Sequence, residues 1–347
     1  MAIEMNRNLI GARPYVPGEQ PSESGWIKLN QNENPYPPAP AVCEIMRSFV
    51  PDRARLYPPA NYPPLRRAIG ESLDWPADGV LVTNGSDEAL RLIAHCYLNP
   101  GDNIGMFSPT YSYYPLIGQM FGARAVVTHL ERNGECPDEI NIDGVKIFFI
   151  ANPNPPFGTV YEAERIGALV EACPNILFVI DEAYVPFAGR DCLSLLRRYE
   201  NVFVTRTFSK SHSLAGLRVG FVLARPEPLK PLLAVCDYYN VNAMSQLAAL
   251  AAWQARGYYD EQIATVVETR ESSAKRLATL GFDVPPSGAN LLFARHPEAP
   301  QLFCRLRERK ILVRYFKTPE SRDGLRITIG TPEQMDALLA ALSDLLK

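Results

Sequence analysis

The sequence predicts an α/β protein, a large doubly wound domain followed by a smaller α+β domain. Three observations carry this. Short continuous apolar runs alternate with helix-periodic segments from Val80 to Val222, as the buried strands and crossover helices of a mostly parallel sheet do. Polar clusters follow these runs, at the carboxyl ends of strands where open α/β sheets collect ligands. Beyond a hinge-like stretch rich in glycine and proline, Gly281 to Gly288, the order changes to strand, helix, strand, strand, helix.

The bulk properties agree. A chain of 347 residues that is 47% hydrophobic can bury one large core and one smaller one. The net charge of −3 leaves no basic footprint for nucleic acid or a membrane surface. Seven cysteines, scattered and never spaced as C-x-x-C, indicate neither a disulfide framework nor a zinc site, so free thiols in a reducing compartment are expected and no metal. Residues 1–16 lack the charged-then-apolar order of a signal peptide and no run has the length of a membrane span; the expected location is the cytoplasm.

The elements follow in order. A polar, proline-punctuated loop from Leu29 to Pro38 precedes a helix over Ala41–Phe49; its Asn32, Asn34 and Tyr36 could lie against a ligand or merely cross the surface. A second tyrosine-proline segment, Leu56 to Pro64, leads to a helix over Leu65–Leu73. Val80–Thr83 is a buried-strand pattern, and Asn84-Gly-Ser-Asp-Glu88 opens a helix in which Leu90, Ile93, Ala94 and Tyr97 share one face. Strand, glycine turn and helix start make an anion site, because the first-turn N–H groups at Ser86 and Asp87 are unpaired and carry the positive end of the helix dipole. Either residue could equally serve as an N-cap. A strand over Asn103–Phe107 runs into a tyrosine-rich turn, where Tyr111 could stack on a flat ligand or on the core.

Strands are then expected at Ala125–His129 and Lys146–Ile150, the latter running into the rigid loop Asn152-Pro-Asn-Pro-Pro-Phe-Gly158, with a return helix over Tyr161–Ala172. Leu177–Ile180 delivers Asp181 at its tip, with Tyr184 close behind. A carboxylate at the end of an apolar strand is costly to bury without a cation or N–H partner. Between strands at Val202–Val204 and Val219–Leu223 lies the densest cluster: Thr207, Ser209, Lys210, Ser211 and Arg218, with Gly216 and Gly220 allowing close backbone approach. Such a set suits a phosphate and an aldehyde held together. A lysine amine condenses with a carbonyl once its proton is lost, and burial or neighbouring positive charge favours that loss. Arg218 supplies such a charge and a bidentate phosphate contact. A long helical region from Met244 to Leu280, broken near Arg256-Gly257, leads to strands at Asn290–Ala294, Ile311–Tyr315 and Gly324–Ile329, with helices at Ala299–Arg309 and Pro332–Leu346. Arg314 and Arg326 fall on the two strands expected to pair.

In these motifs, and in their order over nearly the whole chain, the sequence resembles the fold type I pyridoxal-phosphate aminotransferases, and among them the histidinol-phosphate aminotransferase family. The match spans Leu29–Pro37, Tyr57-Pro58, Gly85–Glu88, Pro109–Tyr111, Asp181–Tyr184, Ser209-Lys210, Ala215–Arg218, Tyr239–Asn242 and Gly324–Thr331. The resemblance implies a large mixed-sheet domain over 41–243, an arm over 1–40 that contributes to the active site and to a homodimer, and linking helices with a small domain over 244–347. It implies pyridoxal 5′-phosphate as cofactor. Lys210 would hold it covalently and act as general base and acid between the substrate α-carbon and the cofactor. Asp181 would pair with the ring nitrogen, Tyr184 would bond the phenolic oxygen and Tyr111 would stack on the ring. For the phosphate it points to the backbone of Ser86 and Asp87, to Thr207, Ser209 and Arg218, and to Tyr57 from the second subunit.

One departure stands out. Pro155 occupies the place of the family's second loop asparagine, so its role passes to Asn154, and Phe157 replaces a threonine. Ile311-Leu-Val-Arg314 fits the strand whose arginine grips the substrate phosphate, Arg326 resembles the carboxylate-binding arginine, and Asn34 and Tyr36 would line the substrate side. The implied reaction interconverts L-histidinol phosphate and 2-oxoglutarate with imidazole-acetol phosphate and L-glutamate. An aromatic-amino-acid aminotransferase, a threonine-phosphate decarboxylase and, more remotely, a non-catalytic ligand-binding module share much of this pattern.

Overall fold

A computed structural model describes residues 6–11 and 17–347 of the chain. Among them lie twelve strands: β1 (Ile27–Lys28), β2 (Val80–Thr83), β3 (Asn103–Ser108), β4 (Arg124–His129), β5 (Val145–Ala151), β6 (Leu177–Asp181), β7 (Val202–Thr207), β8 (Gly220–Leu223), β9 (Leu291–Arg295), β10 (Ile311–Leu312), β11 (Arg314–Tyr315) and β12 (Gly324–Thr328). Seven of them form one sheet in the order β2-β8-β7-β6-β5-β3-β4. All neighbours are parallel except around β8, which runs antiparallel to both β2 and β7. The sheet is therefore mixed, and the reversal falls where the chain turns back after the lysine-bearing segment.

Why the strands read as unbroken apolar runs is clear from their two faces. Ile147, Phe149, Val179 and Phe203 point into a core roofed by helices Gly85–Tyr97 and Tyr113–Met120. Phe148, Ile150, Phe178, Ile180 and Val204 point into the opposite core with helices Pro63–Leu73, Ala163–Ala172 and Ala243–Gln254. A strand covered on both sides has no polar face to alternate with. A third core lies between β9, β12 and helices Ala299–Glu308 and Pro332–Leu345. The last of these helices starts with a capping box, Thr331 and Gln334 serving each other's backbone N–H groups.

Two elements depart from expectation, and one expected break is present. Ile311–Tyr315 is two strands, not one: β10 pairs in parallel with β1, and past Val313 the chain changes partner so that β11 pairs antiparallel with β12. The break expected near Arg256-Gly257 falls at Ala255, between helices Ala243–Gln254 and Arg256–Thr279. The helix expected from Tyr161 begins at Ala163: Glu162 is still extended at φ −65°, ψ 141°, and the Tyr161 backbone N–H is held by Asn152 Oδ1 at 2.9 Å. No helix among the described residues is long and apolar enough to cross a membrane.

Candidate active site

The carboxyl ends of β6 and β7, the start of helix Gly85–Tyr97 and the loop ahead of β8 converge on one site. At its floor, Gly85 adopts φ +76°, and a Cβ there would lie 2.5 Å from Arg218 Nη2. A Cβ on Gly220 would lie 2.5 Å from the Ser86 nitrogen. The two glycines thus let the helix start, the returning strand and the arginine close on one another. Arg218, itself left-handed at φ +54°, bonds Ser209 Oγ at 3.3 Å and pairs with the Asp87 carboxylate at 3.0 Å. Thr207 Oγ1 and Ser209 Oγ lie 3.0 Å apart. Ser86, Asp87, Thr207, Ser209 and Arg218 therefore form one cluster of N–H donors, hydroxyls and a guanidinium, which suits a phosphate.

Asp181 ends β6 and is only 4% exposed. It accepts from Tyr114 Oη at 2.9 Å and from the Ala183 N–H at 3.2 Å, yet no ion pair satisfies it among the described residues. Burial pushes its carboxyl up to about 6, against the pull of the Tyr114 hydroxyl. Lys210 Nζ donates to the Gln31 carbonyl at 3.3 Å and lies 5.8 Å from the centre of the Tyr184 ring. Burial, and after it the positive charge of Arg326, draw the amine down to about 8; Glu33 and Asp87 pull the other way, and Arg218 adds to the lowering. Tyr184 accepts from Asn32 Nδ2 at 2.8 Å, and burial raises its phenol while Arg326 opposes the rise. Tyr111 donates to Asp87 Oδ1 at 2.9 Å and stands edge-on to Tyr114, at 5.6 Å between centroids. Burial holds its hydroxyl firmly protonated.

The remaining sequence candidates sit around this centre. Asn154 is fully buried, accepting from Thr110 Oγ1 at 2.6 Å and donating to the Pro109 carbonyl at 2.9 Å, so its amide ties two loops together. Asn34 Nδ2 donates to the Ser211 carbonyl at 3.1 Å while its Oδ1 accepts from the Tyr36 N–H at 3.0 Å. Arg314 and Arg326 are direct partners across β11 and β12, and both guanidinium groups lie over the Phe316 ring, at 5.5 and 5.3 Å. Tyr57 is 81% exposed and stacks on Tyr239 at 4.4 Å; no hydrogen bond joins it to the phosphate-type cluster among the described residues.

Sequence reasoning gave no role to Tyr114 and Glu88, which shape the site, and no partner to Asn32. Tyr114 holds Asp181, and nothing in the run Tyr111-Ser-Tyr-Tyr114 distinguishes it from its neighbours. Glu88 accepts from the Asn84 N–H and from Asn240 Nδ2, locking the helix start. Asn32 was noted with its loop, but its bond to Tyr184 is set by folding across some 150 residues.

This sheet order, with a lysine and a buried carboxylate facing an anion cradle, defines the class of fold type I aminotransferases. The profile described as aminotransferase class I and II matches residues 24–342. A histidinol-phosphate aminotransferase of Geobacter sulfurreducens is 40% identical, covering 99% of both chains, and one of Chromohalobacter salexigens is 41% identical over 95% of each. The chain belongs to the class I and II aminotransferase family, in its histidinol-phosphate aminotransferase branch. The crystal structure of histidinol-phosphate aminotransferase from Sinorhizobium meliloti in complex with pyridoxal-5′-phosphate has a TM-score of 0.89 at 24% identity, covering 99% of this chain and 98% of that one. An aspartate aminotransferase double mutant from Thermus thermophilus reaches 0.84 at 21%, covering 99% and 100%. Similarity at that level concerns the fold, which evidently serves more than one substrate.

Proposed function

We propose that this chain is a pyridoxal-phosphate-dependent transaminase that works as a homodimer between L-histidinol phosphate and 2-oxoglutarate, giving imidazole-acetol phosphate and L-glutamate. The observation that carries the chemistry is Lys210, a lysine amine drawn to about 8 by burial and Arg326 beside a phosphate-type cradle. At neutral pH about a tenth of such an amine is unprotonated, far more than for an ordinary lysine. The fit to the cofactor is chemical. Asp181 is a buried carboxyl with hydroxyl and N–H donors but no ion pair among the described residues, which suits a ring N–H. The missing Cβ atoms of Gly85 and Gly220 let Arg218 and the Ser86 N–H pack against each other, which gathers the donors that a phosphate needs.

When bound, pyridoxal phosphate supplies an electron sink conjugated to the reacting carbon. Ser86, Asp87, Thr207, Ser209 and Arg218 would hold its phosphate, joined by Tyr57 of the second subunit. Asp181 would hold the ring nitrogen, Tyr184 would serve the phenolic oxygen and Tyr111 would lie against the ring; Asn154, expected to share the phenolic oxygen, is fully buried with both ends of its amide engaged and backs the loops beside the site instead. Lys210 Nζ would take the proton from the substrate α-carbon and return it on the other side of the transfer. Arg314 and Arg326, two permanent cations over one aromatic ring, make a locus for a phosphate in one half reaction and a carboxylate in the other. Asn34 and Tyr36, on the segment over Lys210, would line the substrate side. In this reading the arm to the site and the dimer expected over residues 1–40, of which 1–5 and 12–16 lie outside the described residues, leads into the cofactor domain over 41–243 and the linking helices and small domain over 244–347.

The test is steady-state transamination by the cofactor-loaded protein. Glutamate with imidazole-acetol phosphate is expected to turn over. Arg314→Ala is expected to lower kcat/KM for that substrate by about 10- to 100-fold, the worth of one charge-assisted contact, and to leave a phosphate-free aromatic oxo acid nearly unaffected. No turnover, or equal loss on both substrates, would overturn the assignment. Carbon dioxide released from phosphothreonine without any oxo acid would move it to a decarboxylase.

A further inference from the structure

We infer that Asn32 is a positioning residue that sets the direction of the Tyr184 hydroxyl, making its oxygen accept from the Asn32 amide so that its proton is donated into the cofactor site. The inference rests on the reading of the site given above.

Asn32 lies on a strap that touches the site at nearly every residue. Arg326 Nη2 donates to the Asn30 carbonyl at 2.9 Å, Lys210 Nζ to that of Gln31 at 3.3 Å, and Asn34 Nδ2 to the Ser211 carbonyl at 3.1 Å. Asn32 meets a site side chain with its own side chain, its Nδ2 donating to Tyr184 Oη at 2.8 Å. It is 2% exposed and held at φ +56°, a left-handed conformation that asparagine tolerates better than most residues.

Its amide is oriented from behind. The Asn32 backbone N–H donates to Thr328 Oγ1 at 2.9 Å, and Thr328 Oγ1 lies 3.1 Å from Asn32 Oδ1. Asn290 Nδ2 secures the Asn32 carbonyl at 3.1 Å. Thr328 has one hydroxyl proton. With a lone pair already serving the backbone N–H, that proton goes to Asn32 Oδ1, so the other end of the amide, Nδ2, faces Tyr184. A phenol oxygen that accepts there turns its own proton elsewhere. The charges around Tyr184 come from Arg326 on β12, Asp181 on β6 and Asp87 on helix Gly85–Tyr97; Glu33 of the strap and Arg218 add to those acting on Lys210. Among these, Asn32 adds no net charge. Its effect is one of direction.

The experiment is a pH titration of the visible absorption of the pyridoxal-phosphate-loaded protein, with melting temperature recorded alongside. Tyr184→Phe removes a donor to an anionic oxygen and is expected to move the midpoint up. Asn32→Gly, which suits the left-handed backbone, is expected to move it the same way by about half a unit to one unit. In the Tyr184→Phe background, Asn32→Gly is expected to add nothing, since it acts through that hydroxyl. Thr328→Val, which frees the amide to turn, is expected to give a smaller shift of the same sign and carries the test if Asn32→Gly does not fold. Midpoints equal to wild type, or a shift that adds in full without the Tyr184 hydroxyl, would overturn the inference. A wild-type protein that takes up the cofactor without any visible band would overturn the cofactor assignment instead.

Discussion

Asp181 and Lys210 are each held away from their ordinary ionisation, in opposite senses: the acid is pushed up to about 6 and the base down to about 8. Pairs of groups shifted in this way mark catalytic sites more often than structural ones, because the protein bears a cost that only a ligand relieves. For Asp181 the sign is definite. Its folded value lies above the free value of 3.8, so the native state binds more protons between about 4 and 6, and stability falls as pH rises through that window. Asp181→Asn should therefore stabilise the cofactor-free protein by about 2–3 kcal/mol at pH 7.5. The gain should vanish below pH 4, where both forms are neutral. Denaturant unfolding at the two pH values measures this, and the same variant should lose most transaminase activity. A variant less stable than wild type at pH 7.5 would mean the carboxylate is already compensated. This residue was legible because a charge at the tip of Leu177–Ile180 has no cheap explanation. The Tyr114 that holds it was not, since its neighbours Tyr111 and Tyr113 offer the same chemistry and only packing separates them.

At the scale of elements, the site depends on a turn that only glycine fits. The step from β2 into helix Gly85–Tyr97 needs φ +76° at Gly85, and the space where a side chain would start is filled by Arg218. Gly85→Ala should strain the backbone and drive the guanidinium from the cradle. We expect a loss of about 1–3 kcal/mol in stability and at least about tenfold weaker pyridoxal phosphate binding. Gly216→Ala is the control, because nothing lies within 4 Å of that position, contrary to the close backbone approach its sequence context suggested, and its φ is not positive; it should be neutral on both counts. Strand, turn and helix were readable here because each has its own local signal, an apolar run, a glycine and a 3.6-residue period. Partner choice has no such signal. Ile311 to Tyr315 is a good strand throughout, and nothing local announces that Ile311-Leu312 pairs with Ile27-Lys28 while Arg314-Tyr315 turns to β12. The same exchange places the strap beside Lys210, so the strap's contacts were hidden for the same reason.

For the whole molecule, the surface bears on assembly. Scattered exposed apolar side chains are ordinary, but Val50, Leu56 and Tyr57 lie on one segment, and the Tyr57–Tyr239 stack joins them to Tyr238 and Tyr239. Leu56 is 55% exposed and Tyr238 84%. A face of this kind is costly in water, and a second copy of the chain would cover it while bringing Tyr57 to the neighbouring phosphate cradle. Sedimentation of the wild type should therefore give a two-chain species. Leu56→Glu with Tyr238→Glu places carboxylates in the covered face, where burial without a partner is strongly unfavourable; this variant should sediment as one chain and bind pyridoxal phosphate at least about tenfold more weakly. Tyr57→Phe separates the two effects. It keeps the ring stack, and hence the dimer, but removes the hydroxyl, so affinity alone should fall, by about 10- to 100-fold for one lost hydrogen bond to a charged group. A wild type that is a single chain with full cofactor affinity would take the second subunit out of the site, leaving Tyr57 as a surface tyrosine and the phosphate to Arg218, Thr207, Ser209 and the start of the helix at Gly85 alone.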